Sequence, residues 1–285
     1  MQRIVRQGLS YLLRVQIITF TEYTRPFDMN IFVNAQKYVP PWITSAFTRR
    51  VCSRLGKTKK HAHKLRFAKT YNIKWRQARK CRNATTLDRC VNRFETLNDL
   101  FARKLVNRYT RPSTTNPTTL ISPAQAYVRK VDATETFHIK KVDYTLITLL
   151  KQKKVPHTSH VFVFRLAPNQ YHRFHSPVSS TVTKIRPIEG AYSSVQFMGS
   201  LPVLQENERT VVEFKNGILL VAVGATCVGS IRMTVKKGAK VQHGDELGFF
   251  EFGGSCIVLI VPFPVLTRIT AKESLIEVGA RLADF

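Results

Sequence analysis

The stretch Gly244–Pro262, GDELGFFEFGGSCIVLIVP, constrains this chain more than any other. Leu247–Phe252 alternates about Gly248 as a strand does and stops at Gly253-Gly254. Ser255 then opens a β-branched, wholly apolar run, Cys256–Val261, closed by Pro262. Two strand-like segments therefore meet at a Gly-Gly-Ser junction. The hydroxyl of Ser255 is the polar group at the head of the second.

The rest of the chain has enough apolar residues to support a folded core. Of 285 residues, 44% are hydrophobic, which excludes wholesale disorder. Charge is the outlying property, with 45 Lys and Arg against 18 Asp and Glu and a net charge of +27. Such a balance speaks about partners, nucleic acid or an anionic membrane surface, and not about fold. The excess is concentrated early: residues 1–87 hold 19 basic residues against Glu22 and Asp28 alone. No apolar stretch reaches the ~18 residues of a spanning helix. Five widely spaced cysteines, Cys52, Cys81, Cys90, Cys227 and Cys256, fit free thiols in a reducing compartment. Cys52, His61, His63, Cys81 and Cys90 contain no tight CxxC pair, so no metal site is expected.

Met1–Phe20 bears Arg3, Arg6 and Arg14, has no acid, and repeats apolar residues near helical spacing, as mitochondrial targeting segments do. A short helix is expected over Trp42–Leu55. Lys57–Arg82 then carries eleven basic residues and no acid: Lys57, Lys59, Lys60, Lys64, Arg66, Lys69, Lys74, Arg76, Arg79, Lys80 and Arg82. On a helix, Phe67, Tyr71 and Trp75 would form an aromatic stripe within this basic surface. The stripe either docks on a core or faces bases. Unpaired positive charge at this density calls for a polyanion, and these eleven residues are the candidate RNA-binding set. Leu87–Leu105 reads as one amphipathic helix. Ile139–Leu150 reads as a further helix in an otherwise strand-like pattern. The expected fold is α+β, mainly β, with a basic helical N-terminal region (1–86) before a β-rich domain (87–285).

Four ordered blocks carry a family resemblance: Arg165–Val182 (RLAPNQYHRFHSPVSSTV), Asn207–Phe214 (NERTVVEF), Val221–Ile231 (VAVGATCVGSI) and the GDELGFFEFGGS segment. Together they resemble the phosphatidylserine decarboxylases. In that family a Gly-Ser bond breaks itself and the serine becomes a pyruvoyl group, an electron sink for decarboxylation. The resemblance implies Gly254–Ser255 as the bond and Ser255 as nucleophile and pyruvoyl source. It implies His175 as the base and His172 as the residue assisting decarboxylation and reprotonation. An orienting carboxylate is expected in a block the family writes SPADG. Here Ser122–Ala126 reads SPAQA, so Gln125 stands in the aspartate's place and Ala126 in the glycine's. Gln170 replaces another family aspartate. In the serine-protease analogy, exchanging the acid for its amide costs about 10⁴ in rate.

Two functions are compatible with these residues. The departure at Gln125 and the basic N-terminal third imply a non-catalytic descendant. It would use no cofactor and bind RNA, with neighbouring proteins, inside a mitochondrial-matrix ribonucleoprotein, the ribosome foremost. The alternative is an active phosphatidylserine decarboxylase with pyruvoyl at Ser255, its basic region on an anionic membrane surface.

Overall fold

A computed structural model of the chain describes residues 45, 53–133, 136–155, 159–195, 198–225, 231–253 and 255–285. The expectations for Met1–Phe20 and most of Trp42–Leu55 fall outside them, although Ser53–Gly56 is helical.

An antiparallel eight-stranded sheet organises the chain, with Ser255–Val261 (here β13) inside it. One edge of β13 pairs with β5 (Ser159–Leu166) from Ser255↔Leu166 to Val261↔His160. The other pairs with β9 (Leu219–Gly224), beginning at Ser255↔Gly224. All seven β13 residues are buried. The reason is that both faces of the sheet are covered. Ile257, Leu259 and Val261 join one core cluster; Cys256, Val258 and Ile260 join the other.

The second cluster is closed by a hairpin, Thr136–Ile139 with Val142–Thr145, and by the helices Leu146–Leu150 and Val203–Glu206. This corrects the single helix expected over Ile139–Leu150. Positive φ at Lys140 turns the chain, and Thr145 caps a helix that begins only at Leu146. Arg209, completely buried, donates to the carbonyls of Thr148, Leu149 and Asn207 and so satisfies the end of that helix.

The first cluster is closed by the three-stranded sheet β10-β12-β6 (Ile231–Met233, Glu246–Phe250, Arg173–His175) and by the N-terminal helices. Gly248 lies where β12 crosses Phe174. A Cβ there would sit 2.3 Å from the Arg232 carbonyl and 2.7 Å from the Phe174 ring. The alternation noted about Gly248 thus has a steric cause.

Leu87–Leu105 is two helices, Leu87–Val91 and Leu97–Phe101, not one. The Thr86 hydroxyl accepts from the Arg89 N–H and Thr96 from the Asp99 N–H, so a second N-cap interrupts what would be one continuous apolar face. Within Lys57–Arg82 the helix is short and does not carry the whole stripe. It runs His61–Thr70 and ends before Asn72, which adopts positive φ; short 3₁₀ turns follow at Trp75–Gln77 and Arg79–Cys81. Phe67 is buried in the first cluster, and Tyr71 and Trp75 pack against it, so the stripe docks on the core. Residues on both sides of position 86, from Phe67 to Phe101, therefore share one core. The free-thiol expectation is also corrected: Cys81 and Cys90, with Cα atoms 4.9 Å apart, form a disulfide, while Cys256 is free and buried.

Removing the cap that splits the two helices should cost about 1 kcal/mol. Urea unfolding of Thr96→Ala should show that loss with an unchanged m-value. A midpoint equal to wild type would mean the break has another cause.

Candidate active site

Ser255 is the first residue of β13, held on both edges, and its hydroxyl is buried with no hydrogen-bond partner among the described residues. Gly253, two residues earlier, has φ +148°, a backbone state suited to glycine. Phe252 connects this turn to the helical layer. Its N–H donates to Asn98 Oδ1 at 2.7 Å, and its ring lies 5.5 Å from that of Phe101. Phe101 in turn stacks on His172, ring centroids 3.8 Å apart.

The two histidines leave the loop before β6 in different states. A carbonyl only accepts, so His172 Nδ1 carries the proton it donates to Gln170 O at 3.0 Å. His172 Nε2 is then a bare lone pair, buried and without a partner among the described residues. Complete burial, helped by the Arg103 guanidinium, pushes its pKa down to about 3, so it stays a neutral base. His175 Nδ1 donates to Gly244 O at 2.7 Å, and its Nε2 lies 3.0 Å from the Tyr171 hydroxyl. Burial lowers the His175 pKa and raises that of the Tyr171 phenol, so Tyr171 donates and His175 accepts. Of the two imidazoles, His172 offers the open acceptor. His175, expected as the base, has its acceptor nitrogen engaged.

Gln125 does not bond to either imidazole. Its Oε1 accepts from the Tyr171 N–H at 3.0 Å and its Nε2 donates to Glu277 at 2.6 Å. The amide thus orients His175 at one remove, by fixing the backbone of the tyrosine that binds it. Gln170, the other departure, turns back to accept from the Ala167 N–H at 2.6 Å and closes the loop.

Arg103 escaped the sequence reading. It is 2% exposed, donates Nη2–H to Asn169 O at 3.1 Å, and leaves Nε and Nη1 buried with no partner among the described residues. Burial pulls its pKa down to about 10. In sequence it is one more arginine in FETLNDLFARKL; only its place directly after a buried helix end sets it apart.

The basic segment is rearranged from expectation. Lys64 is 4% exposed and donates to Phe94 O at 2.5 Å, so it faces the interior and not a polyanion. Lys59 pairs with Glu95 at 2.7 Å, Lys80 with Asp99 at 2.7 Å, and Arg79 bonds Asn107 at 2.6 Å. Glu95, between the two following helices, and Asp99, within the second, thus neutralise part of the charge of Lys57–Arg82. His61 likewise lies 2.8 Å from Asp88. Lys57, Lys60, Arg66, Lys69, Lys74, Arg76 and Arg82 remain exposed.

Ser255 thus opens a buried central strand of a two-sided antiparallel sheet, while His172 precedes and His175 ends β6 of the three-stranded sheet. The family model for phosphatidylserine decarboxylase matches residues 97–283. The chain belongs to the phosphatidylserine decarboxylase family. It is 35% identical over 226 residues to phosphatidylserine decarboxylase proenzyme 3 of Schizosaccharomyces pombe, covering 71% of this chain and 23% of that protein. It is 33% identical over 192 residues to proenzyme 2 of Saccharomyces cerevisiae, covering 62% of this chain and 17% of that protein. With the proenzyme of Clostridium botulinum identity is 34% over 233 residues, covering 77% and 74% of the two chains. The chain thus spans less than a quarter of these fungal relatives and about three quarters of the bacterial one.

The state of His172 sets a pH dependence. Its pKa is about 3 when folded and near 6.5 when unfolded, so between these values the unfolded chain binds the extra proton. Stability is full above about pH 6.5 and falls on acidification by up to about 1.4 kcal/mol per unit for this residue alone. Urea titrations from about pH 7 to pH 4 should give His172→Gln a shallower acid slope, by about one proton. Parallel curves would place a proton on His172 in the fold.

Proposed function

We propose that this chain is a self-processing decarboxylase acting on phosphatidylserine, activated at Gly254–Ser255. The observation that carries the reading is a pair of buried polar atoms with no hydrogen-bond partner among the described residues, the Ser255 hydroxyl and His172 Nε2. Burying such groups unpaired costs about 1–3 kcal/mol each, which a purely structural role does not offset. They suit a site where a hydroxyl must lose its proton and a base must take one. A pyruvoyl group arising at Ser255 fits this position and would supply the electron sink for loss of CO₂.

The chain's own residues do the remaining work. Ser255 Oγ attacks the Gly254 carbonyl, so an ester C–O bond replaces the amide C–N bond. Elimination of that ester and hydrolysis, with release of ammonia, separate the fragments. His172, neutral and held by Gln170, accepts and returns protons through its open Nε2. Tyr171 and Gln125 fix His175 beside it. The exposed bases Lys57, Arg66, Lys69, Lys74 and Arg76 give the domain a positive face that suits an anionic membrane, where the substrate resides. The acid-free, arginine-bearing start of the sequence is in keeping with a mitochondrial address.

A second reading is favoured by position 125. An amide there, bonded to Glu277 and not to a histidine, supplies no charge to stabilise an imidazolium. On this reading the chain is an uncleaved, RNA-binding component of a mitochondrial ribonucleoprotein such as the ribosome, and the same basic face meets phosphates.

Intact mass spectrometry separates the two. The proposed function predicts a small C-terminal fragment that begins with pyruvoyl followed by Cys256, and its absence in Ser255→Ala. Purified protein should release CO₂ from vesicles containing phosphatidylserine. A single 32.6 kDa species that co-sediments with ribosomal particles until salt is raised would replace this reading with the second.

A further inference from the structure

We propose that Arg103 is the headgroup-binding residue of this site and holds the phosphodiester of the lipid substrate. This rests on the decarboxylase reading and deepens it. The first observation is an uncompensated cation: Arg103 is 2% exposed, and among the described residues no carboxylate pairs with it. Arg173, on β6, is by contrast paired, with Glu246 at 2.7 Å. A guanidinium buried with N–H groups unused is costly and becomes favourable when an anion accepts from it. Nε–H and Nη1–H are the open donors.

The second observation is position. Arg103 and His172 are anchored on consecutive carbonyls of one loop, Asn169 O and Gln170 O. The Arg103 charge is also felt at the His172 ring. The open Nε2 of His172 and the open N–H pair of Arg103 are therefore features of one site. In a serine phospholipid the anionic phosphodiester is three bonds from the carbon that loses CO₂, so one headgroup carries both an anion for Arg103 and the reacting centre.

The headgroup offers two anions, and chemistry chooses between them. Pairing the carboxylate with a guanidinium would stabilise the ground state that decarboxylation must leave, and would slow the reaction. Pairing the phosphodiester contributes equally before and in the transition state. It positions the lipid and leaves the carboxylate in the apolar surroundings of Phe101 and Phe252, where loss of charge is favoured.

The probe is glycerophosphoethanolamine, which has the phosphodiester and no carboxylate, with L-serine as the converse. Calorimetry on the uncleaved Ser255→Ala chain measures both without any decarboxylation. The expected result is that glycerophosphoethanolamine binds, and that adding Arg103→Lys or Arg103→Met weakens it by about tenfold or more. In the otherwise wild-type chain the same substitutions should raise KM for phosphatidylserine vesicles by a similar factor. There the loss should fall on KM more than on kcat. Arg103→Lys keeps charge and bulk, so its urea midpoint serves as the check on folding. Failure of the probe to bind, equal binding by the variants, or a loss confined to L-serine or to kcat would overturn the assignment. If the wild-type chain never cleaves yet binds the probe through Arg103, the decarboxylase reading fails and the headgroup site stands. If it cleaves and decarboxylates with Arg103 variants binding normally, only the headgroup assignment fails.

Discussion

The double-edged pairing of β13 is the constraint from which the remaining features follow. A strand bonded along both edges and covered on both faces can carry only apolar side chains, and Cys256–Val261 supplies them. Its first residue inherits the same rigidity without being apolar. Ser255 is thereby held in register against Leu166 and Gly224 while its hydroxyl has no hydrogen-bond partner among the described residues. The strand also leaves Cys256 so deeply buried that its thiol is pushed up to about 12, which removes a competing nucleophile next door.

Around that strand the basic N-terminal segment acts as a lid on the core more than as a separate appendage. Phe67, Phe101 and Phe252 form one aromatic contact set, with centroids 5.4 to 6.1 Å apart, and join a helix of the basic segment to the turn before Ser255. Two cations go inward in this layer. Lys64 meets backbone carbonyls of Phe94 and Glu95 and is thereby satisfied. Arg103, among the described residues, has a hydrogen-bond partner at one of its three nitrogens.

Much of this was legible in the sequence. The strand-turn-strand about Gly253 and Gly254 was placed to within two residues, because a β-branched run between glycines and a proline admits few alternatives. The family was legible through the ordered blocks that contain the histidines and Ser255. The misses have physical causes. Two threonine caps outweighed a continuous apolar face at Leu87–Leu105, which periodicity alone does not weigh. The acids that neutralise Lys59 and Lys80, Glu95 and Asp99, lie outside the basic segment, beyond any local window. Which histidine nitrogen is open depends on the carbonyls of Gln170 and Gly244, and the orphaned donors of Arg103 depend on burial. Neither is encoded in residue type or spacing.

The placement of Ser255 has a consequence for assembly. A backbone cut just before it would free a short C-terminal piece whose leading strand stays threaded between β5 and β9, zipped to both. The two pieces would remain one particle without any covalent link, separable only by dismantling the sheet. The cut would also have to come after the sheet forms, since the geometry at Ser255 exists only once both neighbours are in place. A chain scissioned in this way would carry no memory of its original connectivity. Once unfolded, it would have to find its missing central strand by diffusion, so such maturation would run in one direction only.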